Sequence, residues 1–368
     1  MKEKQICTEC GAVLDEDEVY EFDGHIMCAD CWEERTVVCD CCNRRVWREN
    51  TESDCHITIC TRCYDDHYTT CEECGRYIHY DDALYEEGSD YPYCRACFNR
   101  ISKRPIKPYS YKPSPIFYGE GIFYMGVELE VDVGGEDSET AELLQDVANA
   151  CVEHIYIKHD GSLNNGFEIV THPMSPEYHA QKMPWRELLA KALDMGYLSH
   201  KTTTCGLHIH CNRDAFGKYE YQQEEKIGRV VYFLEKHWCE LVNFSRRTTE
   251  ALERWAARYA TISQTTKETY EKAKRKRMGR YVALNLSNED TIEFRMFRGT
   301  LRYETLIATL QLVEQICMLA IRATDEEMER LSWSEFVLQI PSEKTELIDY
   351  LKARRLYVND LSTENEEV

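Results

Sequence analysis

The sequence predicts an α+β domain, with a curved and mostly antiparallel sheet under outer helices, preceded by small zinc-stapled modules. Three short segments after residue 118 alternate apolar and polar residues with the period of a strand, and helix-period segments lie between them. Before residue 98 the chain carries 14 of its 19 cysteines, mostly in CxxC pairs. A chain of 368 residues with 43% apolar composition is long enough for both parts.

Residues 1–100 are expected to form three tandem modules, because the first cysteines of their CxxC pairs recur at positions 7, 39 and 71. In successive modules the second pair follows after 17, 17 and 19 residues. Two CxxC turns supply the four thiolates of a closed structural zinc site. The predicted zinc ligands are Cys7, Cys10, Cys28, Cys31, Cys39, Cys42, Cys60, Cys63, Cys71, Cys74, Cys94 and Cys97.

The modules resemble zinc ribbon and LIM-type modules, and we assign them no catalysis because four protein ligands leave no open coordination position. A disulfide framework is the alternative, but it needs an oxidising compartment for which the sequence gives no support. Modules this small hold too little core to fold alone, so zinc would supply folding energy. A functional hypothesis is that they bind a protein partner; the net charge of -22 argues against nucleic acid.

The rest of the chain divides by composition. Residues 101–118 are predicted to be a linker, because they contain four prolines with basic and aromatic residues and no apolar period. A catalytic-looking domain is expected from 119 to 325. Residues 326–368 are expected to form a helical segment and an acidic tail without fixed structure.

The segment 126–131, GVELEV, reads as a strand with apolar residues on one face and Glu128 and Glu130 together on the other. Two unpaired buried carboxylates are costly, and a bound cation is the usual remedy. An edge strand with a solvated acidic face is the alternative interpretation of this hexapeptide.

Two later segments repeat this arrangement. The run 205–211, CGLHIHC, places His208 and His210 on one strand face, and the run 291–297, TIEFRMF, places Glu293 beside Arg295. A lone HxH pair is more often a surface or packing pair than a ligand set. Three such strands, offering carboxylates, imidazoles and a guanidinium, indicate the walls of one polar site.

Further candidates lie between these strands. Asp160 and Ser162 flank a glycine in a turn, where they can bind a ligand or serve ordinary turn chemistry. Glu168 lies in the predicted strand 167–171, which Pro173 ends. Helical periods occupy residues 139–153, 184–194, about 219–273 and 304–323.

A basic run, residues 272–280, directly precedes the predicted strand 281–286. A solvated helix end is its ordinary interpretation, and attraction of an anionic nucleotide or an acidic substrate is the functional one. Arg280 is the residue we select from it, because phosphate recognition rewards a guanidinium fork. Asn285 on the following strand is a similar candidate.

The order GxExE, then GxHxH, then ExR resembles the carboxylate-amine ligase superfamily of glutamine synthetase and glutamate-cysteine ligase. Within it the chain is most similar to the amidoligase family of bacteria and phages. The runs KHDGSL at 158–163 and FEIVTHP at 167–173 also resemble that family's segments. The resemblance covers about residues 119–325 and implies a catalytic domain like that of these two enzymes.

The resemblance implies an ATP-dependent ligase that joins the carboxylate of an amino acid, peptide or protein substrate to an amine through an acyl phosphate. Mg²⁺ or Mn²⁺ would bind at Glu128, Glu130, Glu168, His208 and Glu293. The catalytic group would comprise Glu128, Glu130, His210 near the phosphates, and Arg295 on the transferring phosphoryl group. The nucleotide would also contact Asp160, Ser162, Arg280 and Asn285.

Two alternatives come from other classes of protein. A zinc-dependent hydrolase, with His208 and His210 on zinc and a glutamate as base, predicts activity without ATP. A non-catalytic adaptor predicts that changing Glu128 or Arg295 leaves function intact. The start MKEKQICTEC lacks a secretory h-region and we see no run of about 18 apolar residues, so we expect a cytoplasmic protein without membrane contact.

Overall fold

The computed structural model describes residues 5–15, 18–86, 89–101, 103–263, 265–275 and 279–357. The chain divides into two compact units, Met1–Lys103 with Ser110–Pro113, and Arg104–Tyr109 with Ser114–Val368. The predicted acidic tail lies outside the described residues, as does the middle of the basic run, 276–278.

The first unit repeats one construction three times: two short strands pair on either side of the first cysteine pair, a second strand pair or bridge follows, and a short helix begins at the second cysteine pair. Each helix begins within one residue of the third cysteine of its module, and Cys28 caps the first helix. The paired strands are Gln5–Ile6 with Val13–Leu14, Tyr20–Phe22 with His25–Met27, Thr36–Val38 with Arg45–Trp47, Thr51–Ser53 with Thr58–Cys60, and Tyr68–Thr70 with Tyr77–His79.

In the third module the second hairpin shrinks to a single bridge between Leu84 and Tyr93. The helices of the unit are Ala29–Arg35, Thr61–His67 and Arg95–Ile101, with 3-10 turns at Arg48–Asn50 and Tyr80–Asp82. Three separate small hydrophobic clusters, each including buried cysteines, form the cores. Because cores of this size are too small to stabilise a fold alone, bound metal is expected to supply folding energy.

The second unit is built on a sheet in which seven strands are described. In chain order they are β1 (Ile106–Lys107), β2 (Met125–Val131), β3 (Ile155–Lys158), β4 (Phe167–Thr171), β5 (Gly206–Asn212), β6 (Leu284–Asn285) and β7 (Thr291–Arg298). Their spatial order is β1-β3-β4-β2-β5-β7-β6, and every neighbouring pair is antiparallel except β1 with β3. This confirms the predicted α+β class with a mostly antiparallel sheet.

Helices cover the apolar face of the sheet. They are α1 (Ser138–Ala148), α2 (Pro176–Gln181), α3 (Trp185–Asp194), α4 (Glu220–Lys236), α5 (Trp238–Ser245), α6 (Thr249–Trp255), α7 (Thr266–Arg275), α8 (Tyr303–Arg322), α9 (Asp325–Arg330), α10 (Trp333–Leu338) and α11 (Thr345–Ala353), with a 3-10 turn at Arg213–Phe216. One hydrophobic core joins Val127, Ile209 and Phe294 of the strands to Val230 and Leu312 of the helices. The opposite face of the sheet is therefore left to polar side chains.

Helix α8 is the central core helix. Within the described part of the chain it alone is long and apolar enough to cross a membrane by length and composition, yet 83% of its apolar window is buried inside the protein. A mostly buried core helix of a soluble protein meets the same criterion.

The predicted element boundaries differ from the structure at three places. The helical region predicted from about 219 to 273 is four helices. The breaks fall at His237, at Arg246, which adopts a left-handed conformation with φ of 59°, and after Trp255. The strand predicted at 281–286 is only β6, two residues long. Within the predicted linker, Ile106–Lys107 form the edge strand β1 beside β3.

Candidate functional site

Strand register brings the predicted polar residues into rows across the open face of the sheet. The residues that lie directly opposite one another on neighbouring strands are Lys158 with Glu168, Glu168 with Glu130, Glu128 with His208, His210 with Glu293, and Glu293 with Asn285. Directly opposed residues have side chains about 5 Å apart at Cβ, so each row forms local contacts. The rows run from β3 to β6 and form one continuous polar surface.

His208 lies at the centre of this surface and is almost fully buried. Its Nδ1 lies 3.3 Å from Glu128 Oε2 and 3.7 Å from Glu293 Oε1, and its Nε2 lies 3.8 Å from Glu130 Oε1. One imidazole therefore faces three carboxylates from two neighbouring strands. Such a concentration of negative charge at low solvent exposure calls for a positive counterpart.

His210 lies two residues further along β5 and faces two of these carboxylates, those of Glu128 and Glu293. Its Nε2 is 3.1 Å from Glu128 Oε1 and 3.9 Å from Glu293 Oε1. The atoms are not aligned as a hydrogen bond, so the Nε2 is buried without a hydrogen-bond partner. The other ring nitrogen, Nδ1, contacts Thr291 Oγ1 at 3.2 Å and fixes the ring.

Glu128 and Glu293 are held in the charged form. Burial disfavours ionisation of both carboxyls. Attraction to His210, and to a lesser extent to His208, outweighs the effect of burial at each carboxyl. The pKa of Glu128 falls well below its ordinary value and the pKa of Glu293 is also lowered. The same contact raises the pKa of His210 despite its burial.

Glu130 and Glu168 show the opposite behaviour. Burial raises the pKa of Glu130, although its carboxylate accepts a hydrogen bond from the Gly206 N–H. Burial, followed by repulsion from Glu128, raises the pKa of Glu168 well above its ordinary value, and Lys158 at 3.6 Å only partly offsets this. Of the four carboxyls, Glu130 and Glu168 are therefore the two whose charged form a nearby cation would stabilise most.

The residues present fit a divalent cation. Ligand atoms of Glu128, His210 and Glu293 all lie within 4.8 Å of one another, as do those of Glu128, Glu168 and His208. Glu128 belongs to both sets. Carboxylate oxygens with one or two imidazoles suit Mg²⁺ or Mn²⁺.

Two arginines and an asparagine border the carboxylates. Arg295 contacts Glu293 directly, and its Nε is buried without a hydrogen-bond partner. The Asn285 amide donates to Glu293 Oε2 at 2.9 Å. Arg247 donates to the Arg295 carbonyl at 2.8 Å, and burial lowers its pKa.

The remaining predicted residues lie at the margin. Asp160 is half-buried and close enough for its charge to raise the pKa of Glu130 and Glu168, after burial. Ser162 is exposed, and its backbone N–H donates to Asp160 Oδ1 at 2.7 Å, which is turn chemistry. Arg280 is exposed and hydrogen-bonds two tyrosine hydroxyls. The structure thus brings the GxExE, GxHxH and ExR residues together and leaves Ser162 outside their contacts.

Sequence reasoning missed two supporting residues. Asp132 is buried and accepts hydrogen bonds from the backbone of Val133 and Asn165 and from the Thr204 hydroxyl. It thus ties the loops that contain Asn165 and Thr204 to the end of β2. Its position continues the alternation of Glu128 and Glu130, which was an available signal. Arg247 gave no such signal, because it follows helix α5 and lies far in sequence from Arg295 of β7, whose carbonyl it contacts.

The first unit brings the twelve predicted cysteines together in three groups of four, with sulfurs within 4.8 Å of one another. The groups are consistent with zinc sites. The first cysteine of each module accepts a backbone N–H from the third: Cys28 N–H to Cys7 Sγ is 3.4 Å, and the later modules repeat it. Burial opposes ionisation of Cys7, but backbone donors outweigh it and lower its pKa to about 6, which favours the metal-binding thiolate.

Together the α+β fold and its polar sheet face define a domain whose clustered carboxylates and imidazoles could hold a metal ion. Residues 152–317, which lie in the second unit, match the family described as "Putative amidoligase enzyme", the family that the sequence resemblance predicted. The matched range includes Glu168, the histidines of β5 and the ExR residues, and it begins after β2.

A crystal structure of a bifunctional glutathione synthetase from Pasteurella multocida is similar to this chain at 12% identity with a TM-score of 0.33. The similarity covers 63% of this chain and 46% of that one, so the chain corresponds to about half the length of that enzyme. No curated protein matches the sequence.

Proposed function

We propose that the second unit is an ATP-dependent carboxylate-amine ligase that forms an amide or peptide bond. The observation that carries the proposal is the convergence of four carboxylates and two imidazoles beside Arg295 on one sheet face. The amidoligase match over residues 152–317 supports the same class. The substrate is an amino acid, peptide or protein that carries a carboxylate, together with an amine donor.

The chemistry requires the carboxylate oxygen to become a leaving group. A substrate carboxylate oxygen attacks the γ-phosphorus of ATP, the bond to the β,γ-bridging oxygen breaks, and ADP leaves. The amine then attacks the acyl carbon, phosphate departs with the former carboxylate oxygen, and the nitrogen loses a proton. Most of the rate enhancement in such a reaction comes from positioning and charge neutralisation.

The residues divide these tasks by position. Glu128, Glu293 and His208 would hold Mg²⁺ or Mn²⁺, with Glu130 and Glu168 completing the oxygen ligands. The bound cation would neutralise charge on the phosphates. Arg295 is held by Glu293 and would bind the transferring phosphoryl group, while His210 would contact the phosphates from the adjacent position on β5.

Nucleotide turnover by the full chain tests the proposal. The purified protein with Mg²⁺ and ATP is incubated with pooled amino acids, polyamines and glutamate-containing peptides, and ADP, AMP and phosphate are measured. ADP and phosphate that require a substrate pool, and that are lost in Glu128→Ala and Arg295→Ala, support the ligase. AMP with pyrophosphate would show adenylation and contradict the acyl-phosphate route.

A zinc-dependent hydrolase is the second candidate, because Glu128, His210 and Glu293 also form a donor set that zinc accepts. It differs in one measurable respect. Hydrolysis of a peptide or amide pool without ATP, abolished by chelator and restored by zinc, would favour it over the ligase.

For the first unit we propose three structural zinc ions and a role in binding a protein partner or a protein substrate. The zinc assignment is supported by the three four-cysteine groups. The partner assignment has a direct test: the full chain is compared with a chain from which residues 1–100 are deleted for turnover of protein and of small substrates. Loss for protein substrates alone would support recruitment; equal loss for both would contradict it.

A further inference from the structure

A hydrogen bond joins two residues that lie just beyond the opposite edge strands of the sheet. Tyr109 follows the edge strand β1 by two residues, and Arg280 precedes the opposite edge strand β6 by four. The Nη1 of Arg280 donates to the Tyr109 hydroxyl oxygen, and its Nη2 donates to the Tyr281 hydroxyl oxygen at 3.2 Å. Seven strands laid flat would separate these edges by roughly 30 Å, since neighbouring strands lie about 4.8 Å apart. The contact therefore indicates that the sheet and the residues beyond its edge strands curve around the polar face.

Five side chains form a continuous row across this closure, and we call them the arch. Lys158 Nζ lies 5.5 Å from the centre of the Tyr109 ring, and the Arg280 guanidinium carbon lies 5.7 Å from the same centre. The Arg280 carbon also lies 5.1 Å from the Tyr281 ring, and that of Arg295 lies 6.0 Å from it. Cations and tyrosine rings alternate along the arch, at separations at which cations attract aromatic faces.

Both ends of the arch are fixed to the carboxylates of the candidate site. Lys158 lies 3.6 Å from Glu168, and Arg295 contacts Glu293. Lys158 is buried, Arg295 is largely buried, and each cation is paired with a carboxylate. The arch therefore borders the polar surface directly.

The middle of the arch is different in charge and exposure. Arg280 is exposed, and the hydrogen bonds described for it end on the two phenol oxygens rather than on a carboxylate. Tyr109 and Tyr281 are 46% and 42% exposed. A phenol that accepts a hydrogen bond keeps its own hydrogen to donate. The centre of the arch thus presents two hydroxyl donors and a guanidinium at the border of the site.

We propose that the centre of the arch is an oxyanion-binding subsite, in which the Tyr109 and Tyr281 hydroxyls donate to a phosphate or carboxylate group and Arg280 supplies the charge. Donors assisted by a neighbouring cation form strong hydrogen bonds to anions. The source of the oxyanion, the ATP phosphates or an acidic substrate, rests on the proposed function. Tyr109 lies before the range matched by the amidoligase family.

Removal of single hydroxyl groups tests the subsite without disturbing the rings. Tyr109→Phe, Tyr281→Phe and the double variant of the full chain are compared with Tyr221→Phe, which changes an exposed tyrosine on α4. Binding of Mg-ATP, of inorganic phosphate and of glutamate is measured by calorimetry at low salt. Each lost hydrogen bond to an anion is expected to weaken binding about tenfold, and the double variant more.

The pattern across probes identifies the source. Weaker binding of ATP and phosphate assigns the subsite to the nucleotide, and weaker binding of glutamate alone assigns it to a substrate carboxylate; both support the proposal. Wild-type affinity of the double variant for all three probes overturns it, and so does an absence of binding of every probe to the unsubstituted protein.

The same variants separate this inference from the ligase proposal. Glu128-dependent ATP turnover that continues while the double variant binds every probe normally would refute the subsite alone. Tyrosine-dependent oxyanion binding in a protein that turns over no ATP with any substrate would refute the ligase alone.

Discussion

Glu128 is the residue on which the metal-binding geometry depends, because it belongs to both donor sets and contacts both histidines of β5. Its carboxyl is ionised because the neighbouring imidazoles outweigh its burial. A neutral isostere would keep the shape and remove the charge that these imidazoles and a cation share.

Glu128→Gln is therefore expected to lower turnover at saturating Mg²⁺ by about 100-fold or more, the scale observed when charge-stabilising groups are removed. The matched control is Glu142→Gln, which changes an exposed glutamate on α1. Substrate-dependent ADP release and Mg²⁺ titration measure the effect. Turnover within twofold of that of the unsubstituted protein would show that Glu128 has no role in catalysis or metal binding.

The chemistry-bearing residues were predictable where alternation along a strand separates polar from apolar side chains. Glu128, Glu168, His208 and Glu293 all occupy such positions, and strand register places them together. Arg247 and the arch tyrosine Tyr109 could not be predicted, because their positions depend on the paths of loops, which no sequence periodicity indicates.

At the scale of elements, α2 is fixed to β2 through a buried histidine. The His179 Nε2 hydrogen-bonds the Met125 carbonyl at 2.9 Å, and its ring stacks on Trp185. Burial lowers the pKa of His179 to about 4 from 6.5. The folded state thus favours the neutral ring, and stability present above pH 6.5 is lost as the pH falls toward 4.

Between pH 7 and 4.5 this single group is expected to reduce the free energy of unfolding by about 2 kcal/mol. His179→Gln should therefore flatten the acid side of the stability profile, measured by urea unfolding, relative to the unsubstituted protein. Acid loss of zinc is common to both proteins and cancels in the difference. His159→Gln, at a largely exposed histidine, serves as control, and equal slopes for His179→Gln and the unsubstituted protein would contradict the assignment.

The long strands of the sheet could be predicted from the sequence, whereas the short edge strands could not. β2, β5 and β7 follow from a period of two sustained over seven or eight residues. β1 and β6 are two residues each and owe their existence to a neighbouring strand, which sequence alone does not reveal. The region 219–273 has helical composition throughout, and tertiary packing decided where it breaks.

At the scale of the whole molecule, the two units depend on metal for different reasons. The first has three small cores built around cysteines, and the second has one large core. Metal removal should therefore unfold the first unit while the second keeps its secondary structure.

Cys63→Ser is expected to reduce bound zinc from three ions per chain to two, because it removes a buried ligand of the second group. Cys55→Ser changes an exposed cysteine of the same module and should leave three. Elemental analysis of the purified full chain measures the ratio. Three ions in Cys63→Ser, or two in Cys55→Ser, would show that the four-cysteine groups are assigned incorrectly.

The most direct test of the ligase is the fate of oxygen from the substrate carboxylate. With the substrate pair that the nucleotide assay identifies, the carboxylate is labelled with oxygen-18 and the released phosphate is analysed by mass spectrometry. An acyl phosphate transfers one labelled oxygen to phosphate in each turnover, and Arg295→Ala should abolish this transfer. Amide product with unlabelled phosphate, or with the label in AMP, would contradict the proposed mechanism.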